Sequence, residues 1–229
     1  MNTLNKISVL LLVTISLSAC GGETATNSVY YEPETEYRLF PIGYFSPGYH
    51  QDYALSGYDT QGKTYSGNAH IVTDAGIYFD REYSIPVTST IKLFDNYGGA
   101  ETFSAIHFYY SQQHQRYLNG TENILSGEIA FAEYLYQIPV HAYIGDSGRI
   151  GEYVTSTGNT IIRNWQLKNA TPGFSRFVLT TSSYNTFNQL ESLFERSVEI
   201  NQNGDIYSIN IVSYDASSGI YTYLEGIPQ

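Results

Sequence analysis

The chain has 229 residues, 22 of them acidic against 11 basic, for a formal charge of −11. A field of that sign repels nucleic-acid phosphates and anionic membrane faces, which argues against DNA, RNA and lipid headgroups as partners. Tyr (23) and Phe (11) are abundant and charged residues make up only 14%; that balance suits β-sheets and excludes a coiled coil or a disordered chain.

In chain order, the first feature is an export signal. Lys6 is the only charge in residues 1–20, an apolar run follows from Ile7 to Leu17, and small residues lead to Cys20, the layout of a secretory signal. Spanning a bilayer takes roughly 20 apolar residues, so this run is too short for a transmembrane anchor. Leu17-Ser18-Ala19-Cys20 resembles the lipobox of bacterial lipoproteins. The resemblance implies cleavage before Cys20, palmitate-type acylation of its sulfur and acylation of the new N-terminus. Two or more acyl chains hold stably where one holds only marginally. Gly21 stands where an aspartate would imply retention in the inner membrane, so the resemblance implies the outer membrane, with the domain in the periplasm or at the cell surface. Without residues 1–19 the chain loses Lys6, and its formal charge becomes −12. Cys20 is the only cysteine, so no disulfide is open to the domain although exported proteins can form them.

Residues 20–36 read as a lipidated N-terminus and flexible tether, and 37–229 as one β-rich domain. Pro33, Pro41 and Pro47 break any regular element, but the aromatics from Tyr37 to His50 are costly to leave wet and are expected to pack on the domain. Strands are then expected at 51–58, 64–72, 87–94, 102–110, 134–143, 160–167, 174–181, 193–200, 206–213 and 220–225. Alternation is clearest at 206–213, where Ile206, Ser208, Asn210 and Val212 point one way and Tyr207, Ile209, Ile211 and Ser213 the other. Asn, Asp and Gly clusters mark turns, among them Asn119-Gly120, Asp146-Ser147-Gly148 and Asn201 to Gly204. Such spacing predicts an antiparallel β-sandwich, with a β-barrel as the alternative. At most one short helix is allowed, most readily near 186–195, where Phe187, Leu190 and Phe194 fall on one helical face; 128–136 fits either a helix or a buried strand. The similarity of 58–67 to 214–226 reads as two hairpins with one turn chemistry inside a single domain.

Most candidate chemistry fails on spacing. Gly145-Asp146-Ser147-Gly148 resembles the nucleophile loop of chymotrypsin-type serine proteases, with His70 and Asp95 upstream in that family's order. The loop continues Arg149-Ile150 in place of that family's Gly-Pro, and the segment from His70 to Ser147 is too short for the parts of two barrels that must lie between. Asn201 to Asp205 lacks the glycine and glutamate positions of a calcium loop and reads as a hairpin loop. The five histidines have no metal-ligand spacing, and His107, between Ile106 and Phe108, is expected on the solvent side of a strand. The tyrosines remain: Tyr109, Tyr110, Tyr117, Tyr134, Tyr136 and Tyr143 are the candidate binding residues, because a phenol offers an apolar face and one polar tip. The reading is a non-catalytic, lipid-anchored lipoprotein with no cofactor and no metal, binding an envelope protein or a glycan. An envelope hydrolase using paired carboxylates and a purely structural lipoprotein are the alternatives.

Overall fold

The computed structural model describes residues 35–112 and 115–229; Cys20, the signal and the tether through residue 34 lie outside the described residues. The first eight strands are β1 (Glu36–Arg38), β2 (His50–Asp59), β3 (Thr64–Thr73), β4 (Ile77–Phe79), β5 (Glu82–Asp95), β6 (Ala100–Gln112), β7 (Gln115–Asn123) and β8 (Ile129–Leu135). They are followed by β9 (His141–Tyr143), β10 (Ser147–Thr155), β11 (Thr160–Asn169), β12 (Ser175–Tyr184), β13 (Leu190–Ile200), β14 (Ile206–Asp215) and β15 (Ile220–Pro228).

Twelve of these strands form a closed antiparallel barrel. β2 pairs with β3 and β3 with β5; the meander then runs through β6, β7, β8 and β10 to β15, which pairs back onto β2. The all-β expectation holds, and of the two architectures considered the chain adopts the barrel. The seams turn sharply where side chains are absent: a Cβ on Gly67 would lie 2.0 Å from the Lys92 carbonyl oxygen across the β3–β5 seam. Period-two alternation sorts the wall. Tyr53, Trp165, Leu167, Phe177 and Ile209 face inward and are buried, whereas Asp52, Asn68, Lys92, Asn164, Lys168 and Glu195 sit on the alternate, outward register. This is the reverse of a membrane-spanning barrel, whose outward positions are apolar.

An eight-stranded barrel is just filled by its own side chains, and diameter grows with strand number. Twelve strands therefore need a filler, and residues 37–49 supply it. Leu39 and Phe40 are buried inside one end of the barrel. Phe40 packs edge-on against Phe177 at 5.3 Å and against Phe45 at 5.1 Å, with the Arg116 guanidinium 5.4 Å from its ring. The Leu39 and Arg38 amides donate to the Val140 and Gln202 carbonyls, and Thr73 Oγ1 donates to the Tyr44 carbonyl at 2.6 Å. Gly204 (φ +82°) lies under this plug, where a Cβ would come 2.8 Å from the carbonyl oxygens of Arg38 and Phe40. The aromatics expected to pack on the domain therefore pack inside it.

Three local expectations are corrected. The 186–195 helix is a turn at 185–189 leading into β13: Asn185 Oδ1 accepts from the Phe187 and Gln189 amides, and cross-strand pairing on both sides outweighs the helical spacing. Asn119-Gly120 is not a turn but a bulge within β7, where Phe108 pairs with Gly120 and Tyr109 with Leu118. The 134–143 strand divides into the end of β8 and the short β9, which pairs with β1 across the plugged end.

Truncating the plug's central ring should be expensive. Phe40→Ala is expected to lower stability by about 3–5 kcal/mol, the cost of emptying a buried phenyl site, read from the urea midpoint. A loss below about 1 kcal/mol would show that the barrel stands without its filler.

Candidate functional site: a cationic chamber inside the barrel

Above the plug, toward the hairpin turns, the barrel changes character. On β11 the inward positions are Ile161, Arg163, Trp165 and Leu167; on β13 they are Phe194, Arg196, Val198 and Ile200. Trp165, Leu167, Val198 and Ile200 are buried, but Ile161, Arg163, Phe194 and Arg196 keep accessible surface. Burial is nevertheless the largest influence on the ionisation of Arg163, Arg196 and His107. Side chains that are both enclosed and accessible line an internal chamber, which the girth of a twelve-stranded ring leaves once the plug has filled only one end.

The chamber holds two cations with which no acid pairs; the inward-register acids Asp59, Asp95 and Glu101 lie nearer the mouth. The Arg163 guanidinium lies 5.7 Å from the Tyr153 ring, a cation–π contact, and its Nε is buried without a hydrogen-bond partner. The ion pairs among the described residues join Lys63 to Asp95, His70 to Asp52, Arg149 to Glu152 and Arg176 to Glu199; none reaches Arg163 or Arg196. Burial pushes the Arg163 pKa down, and the charge on Arg196 adds to this. Burial also opposes the charge on Arg196, but Tyr44, Tyr109 and Tyr53 outweigh it and hold its pKa above the ordinary value, Tyr44 of the plug by accepting a hydrogen bond from the guanidinium. Both guanidiniums remain protonated at neutral pH.

The groups around them are neutral. Burial first, then the two guanidiniums, hold His107 well below the usual imidazole value. Burial raises Tyr53, Tyr109 and Tyr153, so each stays a phenol. Tyr153 donates to the Leu118 carbonyl at 2.9 Å, but the Tyr53 hydroxyl is buried without a partner. The interior thus offers donors, two of them charged, in excess of acceptors. Enclosing charge costs several kcal/mol unless a counter-charge is present, so the chemical complement of this chamber is an anion.

The tyrosines expected to form one patch are dispersed. Tyr109 is buried inside the barrel against Phe45, at 5.0 Å, and cannot belong to a surface patch. Tyr110 points the opposite way and meets Tyr117 at 6.5 Å. Tyr134 and Tyr136 are exposed at the end of β8, and Tyr143 is exposed on β9. A tyrosine ladder does exist elsewhere, on the outer wall of β14, β15 and β2: Tyr214–Tyr221 at 4.4 Å, Tyr221–Tyr223 at 6.2 Å and Tyr223–Tyr58 at 5.4 Å. These are the two hairpins whose sequences resemble one another, and they are neighbours in the ring.

His107 faces the chamber and not solvent, because its cross-strand partner Val87 is a core residue. The misleading signal was Phe108, which points outward yet is buried under Phe79 of β4, the rings stacked at 4.0 Å. His70 bonds Asp52, Asp95 accepts from the Tyr97 and Gly99 amides, and Ser147 opens β10, four ring positions beyond β5; no triad forms. Asn201 closes a hairpin loop by accepting from the Asn203 and Asp205 amides. Among the described residues no three His, Cys, Asp or Glu side chains are placed to hold a metal. Arg163 and Arg196 were not anticipated, although each occupies an apolar slot of an alternating run, TIIRNWQL and LFERSVEI.

His107 gives the chamber a pH signature. Its folded pKa is depressed, so the unfolded chain takes the proton first as pH falls; its contribution is complete above about pH 6.5 and is lost below it. The wild type is expected to lose up to about 1.4 kcal/mol per pH unit more than His107→Asn below pH 6.5, read from urea midpoints across pH. Parallel curves would mean that His107 protonates as freely folded as unfolded. No protein-family model matches the chain, and no curated protein matches it.

Proposed function

We propose that the chain is a lipid-anchored, non-catalytic binding protein of the outer membrane, and that it holds a small anionic ligand inside its barrel. The observation that carries this reading is the pair of enclosed guanidiniums, Arg163 and Arg196, without a carboxylate partner. The anchor rests on the lipobox at Leu17 to Cys20. A hydrolase with paired carboxylates draws no support from the chamber. The acids nearest its mouth, Asp59 and Asp95, accept turn amides and hold depressed pKa values, Asp59 through Tyr65, Lys63 and Gln61 and Asp95 through Gly99, Lys63 and Tyr97, so neither is poised as a general acid. The outer tyrosine ladder favours a second reading, a glycan partner, since ring faces at 4.4–6.2 Å suit stacked sugars.

Two measurements test the proposal. Cys20→Ala is expected to leave the barrel folded and to move it from the membrane to the soluble fraction; retention in the membrane would remove the anchor from the reading. Native mass spectrometry of full-length protein purified from its envelope is expected to show a bound small molecule, absent from Arg163→Met. Wild-type protein of bare chain mass would count against an occupied chamber.

A further inference from the structure

We infer that the ligand is a single-chain amphiphile, its anionic head on Arg163 and Arg196 and its apolar chain running toward the hairpin end of the barrel. This rests on the anion-binding reading above and adds the chemical class. The guanidiniums stand at the chamber floor, Arg196 bonded to Tyr44 of the plug and Arg163 over Tyr153. One inward step nearer the hairpins, each is followed by an apolar side chain, Ile161 on β11 and Phe194 on β13. On the facing wall Ile91 and Leu93 are packed into the core, and Phe103, which shares the inward register of Ile91, is 53% exposed at the mouth. Thr181, Ser213 and Thr222 complete the inward ring beside Phe194.

A bare inorganic anion would satisfy the arginines and leave Ile161, Phe194 and Phe103 wet. An acyl chain covers them at about 25 cal/mol per Å² of apolar surface, and an apolar enclosure with a few placed polar groups is the ordinary form of a small-molecule site. Long-range charge points the same way. The net charge is −11, and Asp59 and Glu101 lie on the inward register near the mouth, so a free small anion is repelled on approach. A ligand driven by apolar burial overcomes that field. Arg196 lies six residues from the start of β13, about 20 Å along the strand, enough depth for a medium-length chain. A guanidinium fork matches carboxylate and phosphate alike, so the shared feature is the anionic head.

Trp165, the only tryptophan, is buried two residues from Arg163 on the same inward face and reports on the chamber. Full-length Cys20→Ala protein, which needs no competing detergent, would be titrated below micellar concentrations with dodecanoate, dodecyl phosphate, dodecanol, acetate and inorganic phosphate. Dodecanoate or dodecyl phosphate is expected to shift Trp165 emission saturably, at least about tenfold more tightly than the other three; the tighter of the two identifies the head. Arg163→Met is expected to weaken that ligand at least about tenfold while raising the ligand-free melting temperature, because an unpaired enclosed charge is removed. A purely structural arginine would give the opposite change in melting temperature and would overturn the head assignment. Arg163→Lys, which keeps the charge and loses the fork, serves if the Met variant does not fold, with weakened binding again expected. Equal binding of dodecanol overturns the arginine head site. Equal binding of acetate or inorganic phosphate overturns the amphiphile class and leaves the anion reading intact. No saturable response to any probe overturns this inference, and the mass measurement then decides the anion reading separately.

Discussion

Twelve antiparallel strands closed into a ring enclose more space than inward-facing side chains can fill, and the remaining features of this molecule answer that excess. At one end the answer is covalent: residues 37–49 enter the ring, and Phe40, with Tyr44 and Phe45, supplies aromatic volume that the wall lacks. At the other end the excess is left open. There the wall changes from Trp165, Leu167 and Ile200 to Arg163, Arg196 and hydroxyl side chains that keep contact with solvent-sized space. Burial opposes both charges, and on Arg163 it prevails. Their persistence in an otherwise apolar register is what gives the interior its chemical meaning.

The distribution of charge is inverted between skin and interior. The outer wall and the turns carry most of the 22 acidic residues, and these are spent locally: Asp59 and Asp95 hold turn amides, and Glu199 pairs with Arg176. Away from the mouth, where Asp59 and Glu101 share the inward register, the interior carries cations, neutral phenols and a neutral imidazole. An acidic exterior disfavours adhesion to anionic surfaces, while the enclosed field acts only on what has already entered.

Much of this fold was legible in the residues. Alternation at 206–213 gave both the strand and its buried face, and the Pro-broken aromatic stretch after Tyr37 signalled packing against the domain. Sandwich and barrel could not be told apart, because the distinction lies in whether β15 pairs with β2, a contact between strands at opposite ends of the chain. Strand β7, Gln-Arg-Tyr-Leu-Asn-Gly-Thr-Glu-Asn, was missed because its Asn119-Gly120 carries turn chemistry that a bulge also uses. The 186–195 helix was overridden by partners on both sides of β13. The chamber was half visible: an arginine in an apolar slot can be read from TIIRNWQL, but that two such slots share one inward wall, on either side of β12, follows only from the strand pairing. His107 was misjudged because Phe79 covers Phe108 from outside, which makes both faces of β6 apolar.

The seam between the first and last barrel strands also sets the order in which the chain can fold. Tyr53 pairs with Pro228 and Tyr58 with Tyr223, so the contacts that shut the ring span nearly the whole domain. Contacts of such long sequence separation form slowly, since the entropy of closing a long loop opposes them until the end. The plug precedes β2 in the chain and must already lie between the walls when β15 arrives. A chain emerging N-terminus first would leave the plug's aromatics uncovered and one edge of β2 unpaired until its final residues were free, an open state prone to aggregation. A C-terminal truncation removing β15 would leave β2 paired on one edge only, with β3, and the ring open.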